Sequence, residues 1–385
     1  MDFQLNEEQR LLQNMARKLA EEKFAPKAFT WEEKGEYPWE NAKILADHGL
    51  TGITIPEEDG GQGGTLLDAI LVMEQVGMVC PHTADAVQAS NFGAIRQVSM
   101  YGQPELKKKV LPPLLRGEKI ITAAMSEPNA GSASTDLQTK ARIEGDQVVI
   151  NGSKIFNSNG PHASYYVVWV RFGDTVRTSG AVLVDDQAPG FSRGKTERYM
   201  SGEDHCALYF DDCRVPVENI LVGEDGFRKL FSVFNIERSG NAIRSLALAQ
   251  SAFDRAVAHA RERTQFGRPI CEFQGLQWKV AEMKMKLDAA RLLIYRAAVN
   301  AQSGAPSALE TSVAKAYANQ IAFEVANESL QIFGGYGYST EYPMEYLVRR
   351  TRGWMIAGGT IEILKNKIAE EVFGLKFDQR RPRAK

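Results

Sequence analysis

The spacing of apolar residues changes twice along this chain, from a helical period to an alternating one near residue 120 and back again at Phe227. A segment patterned for a helix cannot bury its stripe as a strand, and an alternating segment cannot do so as a helix. Three successive units are therefore expected: 1–119 α-helical, 120–226 β-rich and 227–385 helical. At 385 residues the chain is also too long for one ordinary core.

In the first unit Asn6 and Gln9 have capping-box spacing ahead of Leu12, Met15 and Leu19, and further helices are expected over 39–48, 66–78 and 104–115. The middle unit offers strand-like runs at 147–150, 165–172, 180–184 and 208–210, with turns expected at Asn151-Gly152 and Pro189-Gly190. It reads as a small antiparallel β domain. In the last unit Leu276, Val280, Met283, Leu287, Ala290 and Ile294 repeat at steps of four and three, the seam of a packed bundle. Gly334-Gly335-Tyr336-Gly337 interrupts this antiparallel helical bundle, and the tail from Phe377 is too polar to pack. The fold class is α+β.

Bulk composition narrows the function. The 46 basic and 48 acidic residues nearly cancel, so the counterion release that drives nucleic-acid binding has no source. Cys80, Cys206, Cys213 and Cys271 form no close pair of the kind seen in zinc sites or redox dithiols. Free thiols fit a reducing compartment. The start Met1-Asp2-Phe3-Gln4-Leu5-Asn6 lacks a basic or apolar leader, and no apolar run approaches the roughly 20 residues that span a bilayer. A cytoplasmic protein is expected, without a membrane partner. His48, His82, His162, His205 and His259 are scattered, so no metal site is expected.

Gly60-Gly61-Gln62-Gly63-Gly64 lacks the Lys-Ser/Thr ending of a phosphate loop and reads as an interhelical turn. No dinucleotide fingerprint or nucleophile elbow occurs. Glu237 is more informative. On a continuous helix from Phe227, Leu230, Phe234, Glu237 and Leu248 share one stripe, which sets a carboxylate among apolar neighbours. Desolvation would raise its pKa toward that of a general base. The plainer alternatives are a salt bridge to Arg238 or a rim position.

Six motifs then occur in order: Met125-Ser126-Glu127-Pro128-Asn129-Ala130-Gly131-Ser132, Ile150-Asn151-Gly152-Ser153-Lys154, Arg214-Val215-Pro216 with Asn219, Arg263-Thr264-Gln265-Phe266-Gly267, Gln331-Ile332-Phe333-Gly334-Gly335-Tyr336-Gly337, and Gly359-Thr360-Ile361-Glu362-Ile363. In this order and spacing the whole chain resembles the acyl-CoA dehydrogenase family. The resemblance implies an FAD between the β domain and the last bundle, and α,β-dehydrogenation of an acyl-CoA thioester. It implies cofactor contacts from Met125, Ser126, Ser132, Phe156 and Ser158, and from Arg263, Phe266, Gln274, Gln331 and Gly335 of a neighbouring subunit. Thr360 and Glu362 look cofactor-side, and Arg238 and Gly358 substrate-side. A shared cofactor implies at least a homodimer, the family's usual state being a tetramer, with an electron-transfer flavoprotein as acceptor.

In many members the base is a glutamate directly before the Gly-Thr of the last motif, where this chain has Gly358. The isovaleryl-type and long-chain members carry it instead on the helix preceding the Arg263 motif, directly before an arginine, and Glu237-Arg238 matches that pattern. Gly358 is then expected to leave room for the Glu237 carboxylate, with Glu362 the alternative base. The chain departs from the family pattern at Ala133, at Arg349-Arg350, at Ala357, and across Ser201-Gly202-Glu203-Asp204-His205-Cys206. An enoyl-CoA reductase, an oxygen-using flavoenzyme or a non-catalytic FAD- and acyl-CoA-binding subunit are the competing functions.

Overall fold

A computed structural model describes residues 4–30, 36–301, 304–377 and 379. Residues 1–3 of the amino-terminal segment, and 378 and 380–385 of the polar tail, lie outside the described residues. Helix α1 (Glu7–Leu19) opens as expected: the Asn6 side chain accepts from the Gln9 N–H, and the Gln9 side chain accepts from the Asn6 N–H. It is followed by α2 (Trp39–Asp47), α3 (Leu66–Val79), α4 (Pro81–Asn91), α5 (Ala94–Tyr101) and α6 (Pro104–Leu115). Helices α4 and α5 were not expected. Nearly every residue of α4 is buried, so it has no polar face to reveal a helical period.

The middle unit is a sheet of nine described strands. They are β1 (Ile121–Ala124), β2 (Lys140–Glu144), β3 (Gln147–Ser158), β4 (Tyr165–Arg171), β5 (Ser179–Asp185), β6 (Phe191–Arg193), β7 (Glu197–Arg198), β8 (Asp204–Pro216) and β9 (Ile220–Val222). Most pairings are antiparallel, but β1 and β2 both run parallel to β4, so the sheet is mixed where an antiparallel one was expected. Asn151-Gly152 is not a turn. It lies inside β3 at a register shift against β8, where a Cβ on Gly152 would come within 2.6 Å of Thr139 Oγ1. The glycine answers a close approach rather than a chain reversal.

Helix α7 (Phe227–Glu262) runs for 36 residues, about 54 Å at the helical rise. Around it pack α3, α8 (Gln274–Val299), α9 (Ala308–Phe333) and α10 (Met344–Trp354), with α11 (Ile361–Phe373) on α9. The expected seam of α8 is real: Met283, Leu287, Ala290 and Ile294 are buried, and Leu276 and Val280 pack against the same core. A second core joins sheet to helices, with Tyr165, Val167, Trp169 and Leu183 packed with Ile95, Val98, Leu111 and Leu230. The amino-terminal end of α7, which carries Glu237, is thereby fixed against both the sheet and the bundle. Among the described residues no helix is long and apolar enough to cross a membrane.

Candidate active site

Leu230, Phe234 and Leu248 are buried on α7 as the stripe requires, while Glu237 among them keeps partial access to solvent. Its carboxylate has no hydrogen-bond or ion-pair partner among the described residues; its backbone carbonyl accepts from Gln88 Nε2 at 3.3 Å. Burial pushes its pKa up to about 7, against the opposing pull of Arg244, Arg238 and Lys315. The site is thus more cationic than the apolar stripe suggested, yet no cation closes on the acid.

Each cation is held elsewhere. Arg238 Nε donates to Gly358 O at 3.0 Å and its Nη1 to Asn235 Oδ1 at 3.1 Å, so the alternative of a Glu237–Arg238 salt bridge does not form. Successive residues on a helix do not face each other. Lys315, fully buried on α9, donates from Nζ to Trp354 O at 3.2 Å and to Gly359 O at 3.1 Å. Burial and neighbouring Arg238 press its pKa down to about 7, with Glu237 opposing. Its two carbonyl acceptors favour the ammonium form. Arg244 pairs with Asp85 at 2.5 Å, donates to Asn241 Oδ1 at 2.9 Å and lies over the Trp354 ring at 3.6 Å.

The turn between α10 and α11 packs on α7 beside Arg238 and Asn241. Gly358 has φ +70°, and a Cβ there would sit 2.9 Å from Asn241 Nδ2 and 3.2 Å from Lys315 Cε. The space beside Gly358 is thus shared with Asn241 and Lys315, not left empty for the carboxylate. Thr360 caps α11, its Oγ1 accepting from the Ile363 N–H at 3.3 Å. Glu362 is exposed in the first turn of α11, its pKa lowered by hydrogen bonds from its own backbone and Thr360. A carboxyl so placed stays ionised in water and makes a poor base. The arginine at the departure Arg349-Arg350 is compensated: Arg350, fully buried, pairs with Asp85 at 2.7 Å and with Glu203 at 3.3 Å.

A second group of expected residues converges on the sheet. Ser126 O accepts from the Ile155 N–H at 2.9 Å, and Lys154 Nζ donates to Met125 O at 3.1 Å and to Glu127 at 2.8 Å. These bonds bring Met125 and Ser126 beside the stretch carrying Phe156 and Ser158, with Ser132 on the adjoining exposed loop. Phe156 is 61% exposed at φ +59°. A strained backbone holding an aromatic face toward water, next to hydroxyl and backbone hydrogen-bonding groups, suits the flat, partly polar ring system of a flavin.

Arg263, Phe266, Gln274, Gln331 and Gly335 form a separate exposed group at the far end of α7 and α9. The Arg263 guanidinium lies 5.5 Å over the Tyr336 ring, and Phe266 is 94% exposed at φ +50°. A guanidinium with amide side chains and open glycine backbone suits a pyrophosphate. Arg263 lies about 39 Å along the helix from Glu237, so the structure does not bring this group to the Glu237 carboxylate of the same chain. Lys315, Asn241 and Gln88 escaped sequence reasoning. For Lys315 a signal existed, because Thr311, Lys315, Asn319 and Ala322 form one wholly buried stripe.

The raised pKa of Glu237 carries a stability consequence. Glu237 titrates near 7 when folded and near an ordinary ~4.3 when unfolded, so folding favours its protonated form. That stabilising contribution is fully present below the unfolded value and is lost as pH rises through about 7. Glu237→Gln should match the parent in urea unfolding at acid pH and exceed it by at least about 1 kcal/mol at alkaline pH. Equal pH dependence in the two proteins would show that the carboxyl is not desolvated.

Known proteins agree with this architecture along its length. The family profiles "Acyl-CoA dehydrogenase, N-terminal domain", "middle domain" and "C-terminal domain" match residues 6–118, 122–213 and 224–373. A short-chain-specific acyl-CoA dehydrogenase of Clostridium acetobutylicum is 38% identical, covering 97% of this chain and 100% of its own. A 3-sulfinopropanoyl-CoA desulfinase of Paraburkholderia xenovorans is 37% identical over 98% and 99%. The structure of butyryl-CoA dehydrogenase from Megasphaera elsdenii superposes with a TM-score of 0.92 at 34% identity, covering 97% of this chain and 100% of that one. With helices, sheet and bundle in the same order and all three profiles matched, this chain belongs to the acyl-CoA dehydrogenase family.

Proposed function

We propose that this protein is an FAD-dependent acyl-CoA dehydrogenase in which Glu237 removes the α proton of an acyl-CoA thioester. The observation that carries the reading is the Glu237 carboxylate itself: partly accessible, unbonded, and raised to about 7. A base needs a free lone pair and a pKa near the working pH, and Glu237 has both. Glu362, exposed and acidified, has neither burial nor basicity.

The turn opposite would receive the thioester. Arg238 holds the Gly358 carbonyl and Lys315 the Gly359 carbonyl, which fixes the peptide planes of the turn and leaves the Gly358 N–H as the donor for the thioester oxygen. Such a donor acidifies the α carbon by stabilising negative charge on that oxygen. FAD supplies the electron sink for the β hydride. Glu237, Gly358 and the two clamping cations orient the acyl group and hold its proton. Run backwards, the protonated Glu237 returns a proton to the α carbon, and a pKa near 7 populates both forms. Reduction of an enoyl-CoA is therefore the second reading.

Met125, Ser126, Ser132, Phe156 and Ser158 are the residues to hold the flavin ring and ribityl chain, with Thr360 and Glu362 at its edge. Arg263, Phe266, Gln274, Gln331 and Gly335 would meet the pyrophosphate and adenosine of a cofactor held mainly by a second copy, because no single FAD spans about 39 Å of helix. A homodimer is the smallest assembly that satisfies this, and a homotetramer pairs two of them. An electron-transfer flavoprotein is the acceptor we assign. The four unpaired cysteines fit a cytoplasmic setting.

Two outcomes are expected. Glu237→Gln should retain its FAD yet lose at least about 100-fold in the rate at which acyl-CoA reduces it in a single turnover; an unchanged rate would remove Glu237 as base. Dilution to monomers should release FAD, and added FAD should drive reassembly. Light scattering of a monomer with full FAD occupancy would contradict the shared site.

A further inference from the structure

The segment 201–206, which departs from the family pattern, delivers His205 to the residue that the proposed function sets against the flavin. His205 is the second residue of the long strand β8, opposite Ser158 on β3. Its Nε2 is 2.9 Å from Ser158 Oγ, its Nδ1 is 3.2 Å from Glu203 O, and the ring is 7% exposed. A carbonyl oxygen can only accept, so Nδ1 carries the proton, and in the neutral ring Nε2 must accept. The Ser158 hydroxyl proton therefore points at His205. The hydroxyl lone pairs point away from it.

Packing holds the imidazole in this pose. Tyr199 stacks on it with centroids 4.1 Å apart and planes 18° apart, and the edge of Tyr199 meets Phe156 at 6.1 Å. Beneath, Glu203 is anchored through its carboxylate by Arg350 and by the Ser201 hydroxyl at 2.9 Å. The ring is thus gripped by backbone, by a stacked tyrosine and through the buried arginine. A histidine that was only filling space would not need its tautomer specified by one partner and read by another.

We propose that His205 is a positioning residue that makes Ser158 a hydrogen-bond acceptor toward the flavin. The inference rests on the reading that Ser158 contacts the isoalloxazine. A flavin ring gains an N–H on accepting hydride, so an acceptor beside it favours the reduced form and raises the midpoint potential. Without His205 the hydroxyl is free to turn its proton toward a bare ring nitrogen and favour the oxidised form.

The tautomer is read first, by ¹⁵N NMR of the histidine-labelled holoprotein, with His205 assigned by loss of its signal in His205→Gln. Protonated Nδ1 with bare Nε2 is expected; the opposite tautomer overturns the proposal. Spectroelectrochemical titration of the bound flavin follows. His205→Leu should shift the midpoint potential downward, His205→Gln, whose Oε1 can accept, should restore part of it, and His205→Leu should add nothing in a Ser158→Ala background. A potential unchanged in His205→Leu, or shifted equally with and without the Ser158 hydroxyl, overturns it. A parent protein that takes up no FAD would instead strike at the proposed function.

Discussion

A half-buried carboxylate, with cations near it but bonded elsewhere, is the condition on which the rest of this structure turns. Arg238, Lys315 and Arg244 all act on Glu237 through space, and each is claimed by another acceptor: Gly358 O, the Trp354 and Gly359 carbonyls, and Asp85. Direct pairing would drop the acid toward the usual carboxylate range and fill its lone pairs. Isolation in an apolar core would make the charge too costly to form. The intermediate arrangement keeps a base both ionisable and free.

Those same bonds build the groups around the acid. Two of the three cations that act on Glu237, Arg238 and Lys315, also pin the turn at 358–359, so the electrostatics of the base and the shape of that turn are set in part by the same side chains. Asp85 on α4 ties Arg244 of α7 to Arg350 of α10, and Arg350 reaches on to Glu203 below His205. Burial alone would push Asp85 up, but Arg350 and Arg244 hold its carboxyl below the ordinary range. Sheet and bundle are therefore joined by a buried charge relay as well as by apolar packing. Breaking one member would strand the others without water.

How much of this could be read from the residues depends on how local the determining contacts are. The α8 seam and helix α6 were legible because one face is apolar and the other polar. Helix α4 was hidden because it is buried all round. Asn151-Gly152 has the local chemistry of a turn, but Thr139, brought in by a neighbouring strand, decides its conformation. The stripe that singled out Glu237 is a property of one helix, and so was visible. The company it keeps is not: Asp85, Lys315 and Arg350 lie on three other helices, and no spacing rule links them to residue 237. The motifs named the cofactor residues, whereas the roughly 39 Å of helix that separates Arg263 from Glu237 emerges only once α7 is seen to be unbroken.

The account stands on a free, desolvated carboxyl at Glu237, and the most direct measurement is its own titration. In holoprotein labelled with ¹³C at glutamate side-chain carboxyls, the Glu237 resonance is identified by its disappearance in Glu237→Gln. It should titrate at about 7, well separated from the exposed glutamates near ~4.3. A resonance that titrates with the exposed acids would mean that water or a bonded cation satisfies Glu237, and that the base must be sought elsewhere.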